Sequence, residues 1–506
     1  MEYQLNTAVW ELTMGCNMRC KHCGSGCQDA IENELNTDEA LKLCDELSHM
    51  GLKSITLSGG EPTSRNDWNV IARRLSQSKI KIKMITNAWA MDEEIVDKIV
   101  EAGIETIGIS LDGLGATHNY LRRQGAYEKI INAIKLLRKK MIKITIITTI
   151  NSLNINQLKE IRSVLINNNV NAWQLQIGLP MGNMLNNKEL LIQESQVEQI
   201  INYAYTIMNK DDLKVILADN IGYYTIKENR IRNSCYAINN YCWSGCGAGK
   251  NTIGILCNGD ITGCTSIRDK NLVEGNVRKI TIKEIWENPD NFSWNRKNSK
   301  ENLAGFCRKC AFGEKCLGGC ANSRITFGGG INAENKYCAY NHIMKTVNVE
   351  LCNISDTHYL KSKAKACINS GKYQVAEIIL SKLLKENSFD ADLLKLYGFV
   401  SYKLGNYSDA KIANESVLAI LPDDAYANNG LGMTLVRLGE IEKGIKYLDR
   451  ALHLADEKFT DPYLDYAVVL RYLNREKDAV DILNIGRTKY PALIEQSNDL
   501  LVKLGG

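Results

Sequence analysis

The chain has 506 residues, 44% hydrophobic and 24% charged, which is typical of ordinary globular domains, and its length predicts about three of them. Its 62 basic and 58 acidic residues are scattered and leave a net charge of +4, which gives no concentrated field for binding nucleic acid or anionic lipid. The sequence shows neither a secretory signal nor an apolar run of the roughly 20 residues that span a bilayer, so we expect no membrane partner and a cytoplasmic location.

From residue 7 to about 210, short runs rich in Ile, Val and Thr alternate with amphipathic stretches long enough for helices, which predicts parallel β/α units. The first intervening helix has a capping box, Asn36 with Glu39, at its start. An open barrel of six units, a partial (β/α)6 TIM-like barrel, is the simplest closure. The predicted strands are Thr7–Thr13, Lys53–Ser58, Ile80–Thr86, Glu105–Leu111, Met141–Thr149 and Ala172–Gly178.

Residues 241–350 are rich in Gly, Cys and Asn, with short strands expected around Thr252–Leu256 and Asp260–Gly263. Periodic apolar sequence is too sparse there to predict a hydrophobic core, so we expect something other than apolar burial to hold this region.

From residue 355 onward the pattern is continuous helix, and a repeat of 34 residues appears. Gly371-Lys372-Tyr373 recurs as Gly405-Asn406-Tyr407 and as Gly439-Glu440-Ile441, and a fourth, weaker copy near Asn474 lies one residue late. This pattern resembles tetratricopeptide repeats, which implies an all-α solenoid over 355–506 whose concave face binds peptide or protein. A stabilising or dimerising appendage without a ligand is the alternative.

Seventeen cysteines in a long chain without an export signal favour thiolate metal ligands over disulfides. Cys16-x3-Cys20-x2-Cys23 follows the first strand directly and offers three thiolates, which leave one iron of a 4Fe–4S cluster open to a chelating ligand. A zinc site completed by His22 or Cys27 is the alternative on spacing alone.

The second strand ends in Ser58-Gly59-Gly60-Glu61-Pro62, where two glycines allow close backbone approach and a proline fixes the chain direction. With this motif, residues 7 to about 215 resemble the radical S-adenosylmethionine (SAM) superfamily. The resemblance implies that the three cysteines bind the cluster, that His22 helps to cover the adenine, and that backbone at Gly59, Gly60 and Glu61 meets the amino group of methionine. These motifs all fall at C-terminal strand ends, where barrel enzymes place their sites.

Two further strand ends narrow the resemblance. Thr86-Asn87-Ala88 and Ser110-Leu111-Asp112-Gly113, followed by His118 and Arg122, resemble the patterns of radical SAM enzymes that carry a SPASM domain. The match implies that Asn87 and Ser110 contact SAM, with Ser110 at its carboxylate. Ala88 and Asn119 depart from the pattern, and His118 as a plain helix cap is the alternative.

A second set of cysteines has the SPASM spacing, in which Cys246 is followed by Gly259 and Cys264, then by a block of four, then by Cys338. The resemblance implies two auxiliary 4Fe–4S clusters, and hence three clusters in all. One would be held by Cys246, Cys264 and Cys320, with Cys242 or Cys257 as fourth ligand or an open position. The other would be held by Cys307, Cys310, Cys316 and Cys338. We expect the remaining cysteines to be ordinary buried thiols, Cys27 excepted because it follows Cys23 by four residues in a Gly-rich loop.

The sequence thus predicts a radical SAM barrel over residues 1–215, a linker over 216–240, a SPASM domain over 241–350 and the repeats over 355–506. The resemblance implies cleavage of SAM to a 5′-deoxyadenosyl radical and oxidative modification, such as a thioether or carbon–carbon crosslink, of a ribosomally made peptide or protein. It also implies a flavodoxin- or ferredoxin-type electron donor. We hypothesise that the repeats recruit the substrate peptide.

Three alternatives stay open at this point. One is a radical SAM enzyme that acts on a small molecule. Another is a sulfatase-maturing enzyme, although Thr265 stands where such relatives place an acidic base. The third is a non-catalytic scaffold stapled by iron–sulfur clusters, which does not require the Gly-Gly-Glu-Pro strand end.

Overall fold

The computed structural model describes residues 3–236 and 243–504, which form two compact units. The first, here called the N-terminal unit, comprises residues 1–308 and 313–342; the second, here called the helical unit, comprises residues 309–312 and 343–506. Among the described residues, no helix combines the length and the apolar character that crossing a bilayer requires.

The described strands form one sheet in the N-terminal unit, in the order β10-β9-β8-β1-β2-β3-β4-β5-β6-β7. Strands β1 to β7 run parallel to their neighbours, β8 is parallel to β1, and β9 and β10 are antiparallel. The strands are β1 (Thr7–Glu11), β2 (Ser54–Ser58), β3 (Lys81–Thr86), β4 (Ile104–Ser110), β5 (Lys143–Ile150), β6 (Ala172–Ile177), β7 (Lys214–Leu217), β8 (Thr252–Ile255), β9 (Asp260–Thr262) and β10 (Val273–Asn276).

Helices connect the parallel strands and cover the sheet, and the first of them begins at the predicted capping box of Asn36 and Glu39. Those before the repeats are α1 (Thr37–His49), α2 (Trp68–Gln77), α3 (Glu93–Glu101), α4 (Gly115–Leu121), α5 (Ala126–Lys139), α6 (Leu158–Asn167), α7 (Gln196–Ile207), α8 (Ile226–Tyr236), α9 (Ile282–Glu287), α10 (Ser293–Arg296), α11 (Gly305–Lys309), α12 (Gly313–Cys316), α13 (Ala321–Gly328) and α14 (Ala339–Cys352). Short 3₁₀ helices occupy Pro62–Ser64, Ile155–Gln157, Gly182–Asn186, Lys188–Leu190, Lys270–Leu272 and Lys300–Asn302.

The predicted α/β fold is confirmed, and all six predicted strands are present, but the sheet continues beyond them. Strand β7 adds a seventh parallel position after β6. The end of β7 and all of α8 lie in residues 216–240, which we expected to be a linker. The domain boundaries themselves stay predictions.

The expectation that the Cys-rich region lacks a hydrophobic core is wrong. Strand β8 pairs with β1, and Ile253, Ile255, Trp286 and Phe292 are buried in the same core as the parallel strands. The apolar runs of this region are too short to show a period, yet they bury their surface by packing on a sheet that the barrel strands already form.

The helical unit contains three successive helix pairs that repeat every 34 residues. The first helices of the pairs begin at 357, 391 and 425, and the second helices begin at 373, 407 and 441. Gly371, Gly405 and Gly439 end the first helices in the left-handed region, and Asn474 takes the same conformation in the late fourth copy. Assignment to the tetratricopeptide family stays a prediction. The helices are α15 (Thr357–Asn369), α16 (Tyr373–Glu386), α17 (Ala391–Lys403), α18 (Tyr407–Ile420), α19 (Ala425–Arg437), α20 (Ile441–Leu454), α21 (Asp461–Tyr472), α22 (Glu476–Lys489) and α23 (Leu493–Lys503).

Candidate active site

A cavity of about 310 Å³ opens at the C-terminal ends of the parallel strands, and its volume is that of a small-molecule site. Four thiols of the loop after β1, the fourth being that of Cys27, line it together with the ends of β2, β3 and β4. The predicted site residues on its wall are Cys16, Cys20, His22, Cys23, Gly59, Gly60, Asn87 and Ser110.

The cysteine loop is fixed by the Gly-Gly end of β2. Gly60 N donates to Thr13 O at 2.7 Å and Glu61 N donates to Gly15 O at 2.8 Å. A Cβ at Gly60 would lie 2.2 Å from Gly15 O, and one at Gly59, whose φ is +140°, would lie 2.4 Å from Thr13 O. The two glycines therefore allow β2 to approach the backbone that carries Cys16, and both of them line the cavity.

Two residues that the motifs did not reveal hold the same loop from its other side. Glu34 Oε1 accepts hydrogen bonds from Thr13 Oγ1 at 3.0 Å and from Met14 N at 2.7 Å. Cys16 N donates to Gln28 O at 2.7 Å. Neither residue belongs to a recognisable pattern, so only the folded loop shows their role.

The segment after β6 also forms hydrogen bonds with the cysteine loop. Asn183 N donates to Cys23 O at 2.8 Å, and Asn183 Nδ2 donates to Cys20 O at 2.9 Å. Met181 reaches the cavity wall beside Gly24. The thiols of Cys20 and Cys23 are thus held between the ends of distant strands, which suits a site that must keep its geometry while a ligand enters.

Glu61 and Pro62 lie behind the cavity wall. The Glu61 carboxylate is 1% exposed and accepts from Thr86 Oγ1 at 2.8 Å, from Thr63 Oγ1 at 2.7 Å and from Asn87 N at 2.7 Å. Burial raises the pKa of Glu61 despite these bonds. The side chain therefore ties the end of β2 to the end of β3, while Pro62 begins the short 3₁₀ helix that follows.

A buried ionic group centred on Asp112 supports the cysteine loop. Asp112 Oδ2 lies 2.9 Å from His22 Nε2 and 2.6 Å from Arg122 Nε, and Oδ1 accepts from Thr149 N at 2.7 Å. Burial opposes ionisation of Asp112, but Arg122 and His22 outweigh it and hold the pKa of that carboxyl well below its usual range. Asp112 in turn raises the pKa of Arg122 above its ordinary value, against the effect of burial.

His118 belongs to the same group and is not a helix cap. Its Nδ1 accepts from Asp112 N at 3.0 Å, and burial together with Arg122 lowers the pKa of its imidazole to about 3. The ring is therefore neutral near pH 7, with its proton on Nε2.

Hydrogen-bond donors lie beside the sulfur atoms of the three motif cysteines, Cys16, Cys20 and Cys23. Arg122 Nη1 lies 3.8 Å from Cys20 Sγ, and Asn87 Nδ2 lies 3.8 Å from Cys16 Sγ. Burial raises the pKa of Cys16, and that of Cys20 to about 11, whereas a hydrogen bond from Cys27 lowers the pKa of Cys23 to about 5. Cationic and amide donors beside buried sulfurs fit thiolates bound to an iron–sulfur cluster, because such hydrogen bonds stabilise negative sulfur.

A second group of thiols lies elsewhere in the N-terminal unit. Burial raises the pKa of Cys246 to about 12 and that of Cys264 to about 11, and Cys320 is the charge that adds most to the rise in both cases. Asp219 adds negative charge beside all three. The hydroxyl of Tyr223 accepts from Cys320 N at 2.8 Å and donates to Asp219 O. Cys320 and Asp219 therefore lie close to the same hydroxyl group.

Arg324 lies buried among these thiols. It is 1% exposed, and Cys307, Cys246 and Cys320 are the charges that act on it most strongly. Its Nε has no hydrogen-bond partner within the described residues, and burial lowers its pKa. A buried cation without a carboxylate partner fits surroundings that carry negative charge, as thiolates ligated to clusters do.

The other predicted auxiliary ligands lie in several places. Burial raises the pKa of Cys307 to about 11, and the charge of Cys338 adds to the rise, which places these two thiols near each other. Cys316 ends α12, and Cys310 Sγ accepts from Phe312 N at 3.4 Å within the helical unit. Cys242 lies outside the described residues.

Cys257 does not join Cys246, Cys264 and Cys320. Burial raises its pKa to about 12, and the charges that act on it most strongly are Glu34 and Glu11. It is therefore placed beside the first cysteine loop. In the parts of the chain that the structure describes, no three His, Cys, Asp or Glu side chains lie close enough to share one metal ion. A four-iron cluster holds its ligands farther apart than a single ion does.

Comparison with known families agrees with this geometry. Residues 10–165 match the Radical SAM superfamily, and residues 246–311 match the iron-sulfur cluster-binding domain called SPASM. The chain carries a radical SAM domain and a SPASM domain. The two matched ranges contain the first cysteine loop with the ends of β1 to β4 and the start of the second cysteine set.

The radical SAM and SPASM domains also account for the similar proteins. The AdoMet-dependent heme synthase of Methanosarcina barkeri is 28% identical over 341 residues, which cover 66% of this chain and 95% of that protein. The mycofactocin maturase MftC of Mycolicibacterium smegmatis is 24% identical over 335 residues, which cover 65% of this chain and 81% of that protein. The crystal structure of Streptococcus suis SuiB bound to its precursor peptide SuiA has a TM-score of 0.54 at 17% identity, covering 66% of this chain and 75% of SuiB, and shows likeness of fold alone.

Proposed function

We propose that this protein is a radical SAM maturase that oxidatively modifies a ribosomally made peptide or protein. The observation that carries the radical SAM part is one cavity in which Cys16, Cys20 and Cys23 meet the Gly59-Gly60 strand end and Ser110. When bound there, a 4Fe–4S cluster and SAM supply reductive cleavage of the cofactor to a 5′-deoxyadenosyl radical. The cleavage consumes one electron, and a flavodoxin- or ferredoxin-type protein is its proposed donor.

The chain's own residues bind and orient in this proposal. Arg122 and Asn87 donate toward the sulfur atoms of Cys20 and Cys16. Asp112, ionised because its pKa is held low, keeps His22 and Arg122 in place. Ser110 is the hydroxyl on the wall that suits the SAM carboxylate, and the carbonyl groups near Gly59 and Gly60 suit its amino group.

Substrate occupies the part of the cavity beyond the cysteine loop. Gln176 Nε2 donates to Thr149 Oγ1 at 3.0 Å, and both side chains line the cavity at the ends of β6 and β5. Asn220 and Asn322 are on the same wall. These neutral polar groups offer donors and acceptors without a strong acid or base, which suits hydrogen abstraction from a polar substrate such as a peptide backbone.

The auxiliary thiols would hold the iron–sulfur clusters that accept the electron left by an oxidative reaction. Cys246, Cys264 and Cys320 hold one auxiliary cluster in this proposal, and Cys307, Cys310, Cys316 and Cys338 hold the other. Cys242, Cys257 or an open site completes the first, and the acidic neighbours of Cys257 favour the other two. Burying Arg324 between thiols of both sets is favourable only with anionic neighbours.

A peptide substrate is supported by two findings. SuiB, whose fold is similar, is described as binding a precursor peptide, and the mycofactocin maturase is named as a maturase. In addition, the sequence matches cover only about two thirds of this chain. The remaining third contains the helical repeats, and in this proposal the repeats recruit the substrate peptide.

A small-molecule substrate is the second function to test. The Methanosarcina heme synthase is the more similar protein in sequence, and the match spans 95% of it. A tetrapyrrole carboxylate is therefore the substrate class to set against a peptide.

The decisive experiment is anaerobic incubation of the reconstituted full-length protein with SAM, a reductant and either candidate peptides or iron coproporphyrin, followed by mass spectrometry. A peptide that loses two hydrogen atoms supports maturation. A peptide that returns unaltered while the porphyrin changes assigns the small-molecule function instead.

The matched control is the variant in which Cys16, Cys20 and Cys23 are replaced by alanine. It must form no 5′-deoxyadenosine while retaining the auxiliary iron. Deoxyadenosine production that persists in this variant, or zinc in place of iron in the anaerobic protein, contradicts the radical SAM assignment.

A further inference from the structure

The helical unit contains a second cavity, of about 90 Å³, far smaller than the first. It is lined by the first helices of three successive helix pairs, α17, α19 and α21, which contact one another in turn, and by Asn414 of α18. This cavity lies outside the matched radical SAM and SPASM ranges. Its volume is that of a side chain's end and not of a cofactor.

Two buried amide oxygens on its wall lack a donor. Asn414 is 2% exposed and Asn429 is 5% exposed, and the Oδ1 atom of each has no hydrogen-bond partner within the described chain. Their orientation is fixed because Asn414 Nδ2 donates to Ala410 O at 2.8 Å and Asn429 Nδ2 donates to Asp465 Oδ2 at 2.6 Å. An acceptor faces each amide nitrogen, so the two oxygens are the groups left for an incoming donor.

The rest of the wall is acidic and aromatic. Asp461 and Asp465 both line the cavity, and their charges, after burial, raise the pKa of Tyr426 above its ordinary value. The rings of Tyr426 and Phe459 lie 5.4 Å apart. Burial, with a smaller contribution from Asp461, raises the pKa of Asp465, and the Asn429 hydrogen bond and the charge of Lys403 oppose that rise. Lys403 is the one basic residue among those that line this cavity in the described chain.

We propose that this cavity binds a cationic side chain, arginine or lysine, of the peptide that the protein modifies. A guanidinium or ammonium group brings N–H donors to the two unpaired amide oxygens, a positive charge to Asp461 and Asp465, and a partner for the aromatic rings. An anionic or purely apolar side chain leaves the same oxygens unpaired. The assignment rests on the proposed recruitment of a peptide and adds the kind of residue that is read.

Fluorescence anisotropy with the full-length protein tests this directly. The probes are short fluorescein-labelled Gly-Ser peptides with a single central arginine, lysine, glutamate or citrulline, the last being the neutral analogue of arginine. We expect the arginine or lysine peptide to bind at least about tenfold more tightly than the citrulline and glutamate peptides, as a charge-assisted hydrogen bond provides.

Variants locate the binding site. Asp465→Asn keeps an acceptor for Asn429 Nδ2, and both it and Asp461→Asn are expected to weaken the arginine peptide about tenfold. Asp481→Asn, which removes an exposed carboxylate of α22 outside the cavity, is the matched control and is expected to change nothing. Thermal unfolding of each variant checks that the fold is kept.

Three results overturn the assignment: equal binding of the arginine and citrulline peptides, no binding of any cationic peptide, or equal losses in Asp465→Asn and Asp481→Asn. The proposed function is tested apart from this, by 5′-deoxyadenosine formation in the same preparation. Peptide binding without SAM cleavage leaves the cavity assignment standing, and cleavage without peptide selectivity leaves only the radical chemistry.

Discussion

Replacing Gly60 with alanine tests whether the Gly-Gly strand end positions the cysteine loop. The new Cβ would lie 2.2 Å from Gly15 O and 2.7 Å from Met14 O, where ordinary contact begins at 3.4 Å. The backbone of residues 14 and 15 must therefore retreat by roughly 1.2 Å to restore ordinary contact with the added carbon.

That retreat stretches the bonds from Gly60 N to Thr13 O and from Glu61 N to Gly15 O beyond bonding range, since they measure 2.7 and 2.8 Å now. Two lost hydrogen bonds cost about 1–3 kcal/mol of the free energy of unfolding, which is also the usual cost of overpacking. Because Cys16 follows Gly15 directly, a displacement near 1 Å is expected to slow SAM cleavage on the order of 100-fold.

The assay compares Gly60→Ala with Gly330→Ala in thermal unfolding and in the rate of 5′-deoxyadenosine formation. A Cβ at Gly330 meets nothing within 4 Å, so this control is expected to stay within about 0.5 kcal/mol of the parent protein. For Gly60→Ala we expect the melting temperature to fall by about 2–4 °C per kcal/mol lost. If both variants keep the parent's stability and cleavage rate, the close approach of β2 does not position the loop.

Three further perturbations test the buried charges and the thiols. His118 has a folded pKa of about 3 against roughly 6.5 when unfolded, so the unfolded state binds the extra proton and stability falls by up to about 1.4 kcal/mol per pH unit below 6.5. The free energy of unfolding, measured with urea at several pH values, is expected to depend less steeply on pH in His118→Gln than in the parent protein. An identical pH dependence contradicts the low pKa of His118. Arg324→Gln removes a cation, so protein electrochemistry is expected to show lower reduction potentials of the auxiliary clusters, by on the order of 50 mV. Asp219→Asn removes an anion and is expected to raise the same potentials by a similar amount. Shifts of the same sign contradict the charge placement. Iron analysis of the alanine variant at the first cysteine set is expected to show a loss of about one third of the iron; the residues replaced are Cys16, Cys20 and Cys23.

Sequence patterns predicted the parallel strands well because each is a run of β-branched residues long enough to show itself against the helices. They missed β7, whose four residues, Lys214–Leu217, follow a polar stretch and carry no motif. They also missed that β8 completes the sheet beside β1. That pairing joins residues some 245 positions apart along the chain, and no local pattern encodes which edge of a sheet a short strand will meet.

Some residues of the candidate site could be predicted from the sequence and others could not. Residues that must have one chemical identity, such as Cys16 or Gly60, stand in spaced motifs and are visible in the sequence. Glu34, which accepts from the cysteine loop, and Arg324, which lies among the auxiliary thiols, act through position alone. Glutamate and arginine are common residues, and only the fold shows that these two lie beside the loops they support.

The Gly-Gly-Glu strand end shows why a motif and its mechanism are separate questions. Resemblance assigns it to the amino group of SAM, yet in the structure both glycines meet the backbone of the cysteine loop, and the Glu61 carboxylate meets Thr86 and Asn87. The motif therefore fixes three strand ends relative to one another before any ligand is considered. A ligand that spans those ends, from Cys16 to Ser110, meets a surface whose spacing is already set by Gly60 and Glu61.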